Sequence, residues 1–316
     1  VAAVVAFVCI PGNETPEGAQ EHWLEGRGGV KVRVLTAPST RGAARGSVIV
    51  APGRTEFIEK YFEVIRDLQA RGFAVFCIDW RGQGLSGREV EKAVKGHIAS
   101  FDDAVNDLST ALKLLADKLP KPQIGLAHSM GGAIMLRGLQ TRRIELDAAA
   151  FTAPMWGIPK LDKNSKKYVR FMVSIGAGRL FAPGVETKWK REAFKRNPVT
   201  NDKCRHDRCQ CLIAEEPRLA LAGPTIGWVA AAADTFDALH VPGAFAHLKL
   251  PILVVTASDE QLIDNASHDA VLAQLPNAVH ITLDAKHEIL METDAVRAQF
   301  WAAFDQMTER VVPARV

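Results

Sequence analysis

Gln123-Ile-Gly-Leu-Ala-His-Ser-Met-Gly-Gly132 is the stretch on which the fold is read. A short apolar run ends at Ala127, a serine follows two residues later, and a glycine pair comes directly behind it. The pattern is that of a nucleophile elbow, G-x-S-x-G, with Ala127 where the first glycine usually stands. A sharp strand-to-helix turn holds its serine in a strained backbone, so the residues two before and two after must be small. Ala127 and Gly131 both are. The turn lifts the serine oxygen clear of a sheet and aims N–H groups at the start of the next helix toward a bound carbonyl. The plain alternative is an ordinary serine in a small-residue turn, since short motifs recur by chance. A base, an acid and a second oxyanion donor must therefore follow in the right order.

Around the elbow, strand-like and helix-like runs alternate. Val30–Leu35, Ser47–Ala51, Ala74–Asp79, Ile124–Ala127, Ala148–Ala153, Ile252–Thr256 and Val279–Leu283 read as strands. Most are apolar throughout, as strands buried on both faces of a largely parallel sheet must be. Phe57–Arg71, Asp102–Leu119, Gly131–Thr141, Ser267–Leu275 and Thr293–Met307 have helical spacing. Asp102 and Asp103 open one of these helices, where acidic groups complement the helix dipole. This alternation predicts an α/β fold, a mostly parallel sheet with helices on both faces.

The alternation breaks between about Pro154 and Leu248. No buried strand is evident there, and Pro159, Pro183-Gly184, Pro198, Pro217, Pro224 and Pro242 punctuate it. Trp189–Phe194 and Trp228–Phe236 read as amphipathic pieces. The expected organisation is a core from residues 1–153 and 249–316, with a helical insertion over 154–248.

Three further pieces complete a constellation. Val50-Ala-Pro-Gly-Arg-Thr-Glu56 follows an early strand, and its glycine lets the backbone approach a ligand closely. The N–H groups of Arg54 and Met130 are the expected oxyanion hole; otherwise this is a plain strand-to-helix loop whose arginine points to solvent or structures the loop. Asp284-Ala-Lys-His287 follows the last strand, where a histidine can serve as general base. With nine histidines in the chain, position is what singles out His287. Pro251 to Asp264 runs from a strand into a loop carrying adjacent carboxylates, Asp259 and Glu260, of which one can orient an imidazole. Ser129, then Asp259 or Glu260, then His287 is the chain order of nucleophile, acid and base expected on an α/β-hydrolase sheet.

With these pieces the chain resembles the α/β-hydrolase superfamily, and more narrowly the bacterial lysophospholipase L2 and monoacylglycerol lipase branch. The resemblance rests on Pro52-Gly-Arg-Thr-Glu-Phe-Ile-Glu-Lys-Tyr61, Asp79-Trp-Arg-Gly-Gln-Gly-Leu-Ser86, Ala127-His-Ser-Met-Gly-Gly132, Ala153-Pro-Met155 and Lys286-His-Glu-Ile-Leu290. Glu215 to Trp228 looks like that branch's lid, and the resemblance spans roughly residues 7–308. It implies an α/β-hydrolase fold with a helical cap, an acyl-chain pocket beneath the cap and no cofactor. It also favours Glu260 as the acid, with Asp259 as the fallback. In that branch a proline-led strand reaches its aspartate nine residues on, and nine residues from Pro251 stands Glu260. Glutamate is a departure, as is Ala127. The resemblance further implies a single-chain acyl glycerol or lysophospholipid as substrate, with Trp156, Phe171, Met172, Phe181 and Trp228 lining an apolar tunnel. Those residues read equally as the small core of the cap. Asp79 and Arg81 read as ties between loops near the elbow.

Composition narrows the alternatives. Lysine and arginine total 39 against 36 aspartate and glutamate, a net charge of +3 that asks for no nucleic-acid partner. The basic segment Lys160–Lys167 reads as a solvated loop or lid surface. Five cysteines are an odd count, so no disulfide framework is indicated. Cys204-Arg-His-Asp-Arg-Cys-Gln-Cys211 lacks paired zinc-ligand spacing and reads as a surface helix rather than a metal site. There is no apolar run of about 18 residues. Val1–Ile10 is apolar without a basic leader or cleavage site, so a cytoplasmic or membrane-peripheral location is expected. Contact of the cap with a membrane surface stays open, though no strongly basic amphipathic helix demands it. Two rival functions remain: a carboxylesterase for short, non-lipid esters, and a non-catalytic relative, which would have lost a triad member. Serine rather than aspartate at the elbow disfavours dehalogenase and epoxide hydrolase chemistry.

Overall fold

The computed structural model describes residues 7–312; Val1–Ala6 of the apolar opening run and residues 313–316 lie outside it. In chain order the elements are β1 (Gln20–Glu25), β2 (Lys31–Ala37), β3 (Ser47–Ala51), α1 (Phe62–Ala70), β4 (Ala74–Ile78), α2 (Phe101–Leu114), β5 (Gln123–His128), α3 (Met130–Gln140) and β6 (Ala148–Thr152). There follow α4 (Lys163–Ser174), α5 (Lys203–Glu215), α6 (Ile226–Leu239), β7 (Ile252–Ala257), α7 (Ala266–Leu272), β8 (Ala278–Leu283) and α8 (Asp294–Thr308).

The eight strands form one sheet in the order β1-β2-β4-β3-β5-β6-β7-β8. β2 is antiparallel to both neighbours, and every other pairing is parallel. β3, β4, β6 and β7 are buried along their whole length. That explains their apolar runs, because a parallel strand in mid-sheet meets a covering layer on each side. One helix group joins α1 and α8: Arg71 pairs with Asp305 at 3.0 Å and lies 4.2 Å over the Trp301 ring. A second group joins α2, α3 and α6. Arg137 pairs with Asp102 at 2.9 Å, Phe101 meets Trp228 edge-on at 5.7 Å, and Gln140 Nε2 donates to the Ala238 carbonyl at 2.7 Å.

β1 was not expected. Gln-Glu-His-Trp-Leu-Glu has no apolar run, because the strand closes the edge of the sheet and no residue of it is fully buried. Its membership comes from pairing with β2 and from Glu21, whose carboxylate accepts from Arg33 Nε at 2.7 Å.

Between β6 and β7 the chain builds α4, α5, α6 and short 3-10 turns, and no strand. Local chemistry starts each helix. The side chains of Asp162, Asp202 and Thr225 accept from the N–H of Ser165, Arg205 and Trp228 at 2.8, 2.9 and 3.2 Å. The basic segment Lys160–Lys167, expected as a loop or lid surface, is helical from Lys163, where Asp162 caps α4. One expectation needs correction. Trp189–Phe194 is irregular, and only Phe194–Arg196 makes a 3-10 turn.

Strand order places the chemistry. The chain leaves β3 toward β4 on one side and resumes at β5 on the other, so the carboxyl ends of β3 and β5 flank the point where strand order reverses. Ala51 and Ala127 are directly paired there. In an open parallel sheet this is where a crevice forms.

Candidate active site

Ser129 occupies the turn between β5 and α3 with φ 50° and ψ −118°, outside the ordinary regions for a side-chain-bearing residue. Such strain costs on the order of 1–3 kcal/mol and must be held by its surroundings. Here Ser129 N–H donates to the Thr152 carbonyl at 3.1 Å, and the Ser129 carbonyl accepts from Gly132 and Met155 N–H at 2.9 Å each. A Cβ on Gly131 would stand 2.1 Å from the Ala51 carbonyl oxygen, so α3 can begin against the end of β3 only with glycine there. Ala127 is fully buried between its paired neighbours Ala51 and Phe151, which is why smallness matters at this position.

The loops after β5, β7 and β8 bring three side chains together. Ser129 Oγ is 2.9 Å from His287 Nε2, across 158 positions of sequence. His287 Nδ1 is 2.7 Å from Glu260 Oε2. A carboxylate only accepts, so Nδ1 carries the proton and donates to Glu260, leaving the Nε2 lone pair for the serine hydroxyl. The Glu260 side chain is 2% exposed, and its Oε1 accepts from the N–H groups of Leu262 and Ile263 at 2.7 and 3.2 Å. Burial pushes the Glu260 carboxyl up, but the hydrogen bond and charge of His287 and the two N–H donors outweigh it and hold it below the usual range. Asp259 is exposed and bonded to Gln261 at 3.2 Å.

The loop after β3 faces the elbow. A Cβ on Gly53 would lie 2.9 Å from His128 Cδ2 and 3.1 Å from Ser129 Cβ, so the backbone here approaches Ser129 as closely as only glycine allows. Trp80 Nε1 holds the Pro52 carbonyl at 2.8 Å, and Gln83 Nε2 holds the Gly53 carbonyl at 2.7 Å. The N–H groups of Arg54 and Met130 meet no protein acceptor among the described residues. The Arg54 side chain is half-buried and tied to the cap segment. Its guanidinium lies 5.4 Å over the Trp228 ring and donates to the Ala222 carbonyl.

Four residues around this centre carry roles that sequence reading did not assign. Glu56 accepts from Gly53 N–H and from Tyr61 Oη at 2.7 Å, and it pairs with Lys60 Nζ at 2.9 Å. Lys60 Nζ reaches Glu288, the neighbour of His287, at 2.6 Å. A buried carboxylate–ammonium–carboxylate bridge thus ties the β3 loop to the histidine loop. Burial pushes the Glu56 carboxyl up, but Lys60 and His128 override it and hold it at about 2. Burial likewise opposes the charge on Lys60, and Glu288 and Glu56 restore it. His128 packs against His287 with ring centroids 4.8 Å apart, and its Nδ1–H donates to the Thr152 carbonyl at 2.9 Å. Burial lowers its pKa to about 4, so it is a neutral support. All four stand inside the motif stretches, and Glu56 and Lys60 are spaced i,i+4. What the sequence lacks is any sign that Lys60 meets a residue 228 positions away.

Lys60→Met tests the bridge. It leaves two buried carboxylates without their cation and is expected to cost about 3–5 kcal/mol of folding stability. Urea unfolding at neutral pH measures it, and a loss below about 1 kcal/mol, the scale of an exposed pair, would show that the bridge is not desolvated.

The remaining expected residues fall as follows. Trp156 is buried with ring contacts to Phe151 at 5.6 Å and His268 at 5.4 Å. Trp228 is 5% exposed, beneath Arg54. Phe171, expected in an apolar tunnel, is 60% exposed on α4 and lines none, because Val169 is the residue that α4 buries. Asp79 accepts from Ile58 and Leu85 N–H at 2.8 and 2.9 Å, and Arg81 pairs with Asp107 of α2 at 2.6 Å. Cys204, His206, Cys209 and Cys211 lie on α5, and His206 bonds Asp207 at 3.1 Å. Among the described residues no group of three or more His, Cys, Asp or Glu side chains converges as metal ligands would.

Comparison with known proteins adds to this geometry. The family model described as serine aminopeptidase, S33, matches residues 42–294. The chain is 33% identical over 271 residues to lysophospholipase L2 of Escherichia coli (strain K12), covering 79% of this chain and 76% of that one. It is 26% identical over 280 residues to monoacylglycerol lipase of Mycolicibacterium smegmatis, covering 87% and 94%. Among solved structures, a soluble variant of monoglyceride lipase from Saccharomyces cerevisiae with a substrate analog shares the fold. Its TM-score is 0.73 at 16% identity, over 92% of this chain and 96% of that one.

Proposed function

Because this chain belongs to the α/β-hydrolase family described as serine aminopeptidase, S33, we propose that it hydrolyses acyl esters of single-chain lipids through Ser129, His287 and Glu260. The relatives at 33% and 26% identity bear the names lysophospholipase and monoacylglycerol lipase, so an ester rather than a peptide is the bond cleaved. The observation that carries the reading is the unbroken line from Ser129 Oγ through the His287 ring to Glu260, with links of 2.9 and 2.7 Å.

In this reading each group takes one step. Ser129 Oγ attacks the ester carbonyl as its proton passes to His287 Nε2, and Glu260 stabilises the imidazolium that forms. The carbonyl oxygen becomes an oxyanion, and the free N–H groups of Arg54 and Met130 receive it; one such donor is worth about 10²–10³ in rate. Collapse of the intermediate breaks the ester bond, and His287 returns the proton to the leaving alcohol. Water then repeats the sequence on the acyl-enzyme and releases the fatty acid. A fluorophosphonate probe tests the nucleophile: labelling at Ser129 in folded protein is the expected result. No labelling there would end this reading.

Residues 154–248 act in this reading as a cap, and α4 with the turn that follows it, to Leu180, is the part that meets lipid. Tyr168, Phe171, Ile175 and Leu180 are 47%, 60%, 60% and 55% exposed, flanked by the exposed basic residues Lys163, Lys167 and Arg179. An apolar face with a basic border is the composition of an interfacial helix. Phe171→Ser with Ile175→Ser is expected to weaken binding to anionic vesicles about tenfold or more, from the apolar area withdrawn. Equal sedimentation of both proteins with vesicles would exclude this face.

A further inference from the structure

A cavity of about 640 Å³ opens beside the oxyanion loop, between Arg54 and Thr55, the segment 186–199, α5, Leu221–Gly223 and Glu288. Its wall is basic, with Arg54, Lys60, Lys188, Lys190, Arg191 and Arg196. Two of these cations are already matched: Lys60 by Glu56 and Glu288, and Lys190 by Glu186 at 3.0 Å. Arg54, Lys188, Arg191 and Arg196 have no carboxylate partner among the described residues, and Glu192 is the acid of the wall left to oppose them. Arg54 stands apart from the other three. Its Nε is buried with no hydrogen-bond partner, and a carbonyl and an indole face are its neighbours instead of an anion. Burial lowers its pKa to about 10, so it stays charged at neutral pH.

We propose, resting on the ester-hydrolase reading, that this cavity receives the phosphate of a lysophospholipid head group. Arg54 supplies both the expected oxyanion N–H and one wall of the cavity, so the cavity starts beside the scissile carbonyl although Ser129 is not part of its lining. In a lysophospholipid the phosphate hangs from the same glycerol as the ester, three carbons along. A carbonyl oxygen on the Arg54 N–H therefore directs the phosphate toward the guanidinium side of that residue. The planar arginine fork fits phosphate oxygens in pairs, and the cations of the 188–196 segment line the same cavity. A monoacylglycerol offers only hydroxyls there and leaves the cations unmatched. The site thus distinguishes two substrates that share one acyl chain.

The test uses the full-length protein and two substrates of equal acyl length, an oleoyl lysophosphatidylglycerol and monooleoylglycerol. In Arg191→Gln/Arg196→Gln, kcat/KM for the phosphate-bearing substrate is expected to fall about tenfold relative to the neutral one, mainly through KM. Arg191→Glu/Arg196→Glu should widen the gap, and added salt should narrow it in the wild type. A substrate ratio that does not change in either variant overturns the head-group assignment while leaving the ester hydrolase intact. Wild-type protein that cleaves neither substrate overturns both. Inhibition by inorganic phosphate that is lost in the variants, with the substrate ratio unchanged, assigns the cavity to free phosphate and also overturns the proposal.

Discussion

Ser129→Ala is expected to abolish ester hydrolysis, lowering kcat by about 10⁵-fold or more. In the proposed mechanism the Oγ forms the acyl bond, and no other hydroxyl is bonded to His287 Nε2 among the described residues. What survives is binding and the oxyanion N–H groups, which by themselves leave a small residual rate above water. The change removes one atom from a residue that is 6% exposed and leaves its backbone hydrogen bonds in place, so folding should be preserved. Turnover of a chromogenic ester and of monooleoylglycerol measures the effect. Retention of more than roughly one per cent of the rate would assign the nucleophile elsewhere.

Glu260→Gln is expected to lower kcat by about 10³–10⁴-fold, whereas Asp259→Asn should change it less than about threefold. The difference follows from the ring. His287 must hold its proton on Nδ1 so that Nε2 can take the serine proton. A carboxylate enforces this because it can only accept. An amide can present its NH₂ to Nδ1, which moves the ring proton to Nε2 and removes the base. In the proposed mechanism Glu260 also balances the positive charge of the transition state, at 2.7 Å and with 2% of its side chain exposed. Asp259 points to solvent and balances nothing. The opposite pattern, with Asp259→Asn inactive and Glu260→Gln nearly normal, would reverse the assignment.

Much of the fold is legible in the sequence. Val48–Val50, Val75–Ile78 and Leu253–Val255 are apolar without alternation because both of their faces are covered, and that is a local property of composition. The elbow was legible because its backbone tolerates only small residues at 127 and 131. The constraint at 131 is a carbonyl that a Cβ would meet at 2.1 Å. The serine, acid and histidine could be placed in order because each follows a recognisable strand. The neighbouring carboxylates show the limit. On residue chemistry alone Asp259 and Glu260 were equivalent, and it took a resemblance to favour one. In the structure Glu260 is the one bonded to His287.

By itself, then, the sequence determined what short-range sterics and burial control: a mostly parallel α/β core, a strained serine turn and a helical stretch between β6 and β7. Tertiary structure alone decided what depends on groups far apart in the chain. It joined Lys60 to Glu288, set His128 beneath His287, laid Arg54 over Trp228 and left a basic cavity at its side. It also added β1, whose six residues become a strand only because β2 offers them an edge. The physical reason is common to all of these. Periodicity and small-residue constraints act within a few residues, whereas charge pairing and desolvation act between whichever groups the sheet brings within a few ångströms.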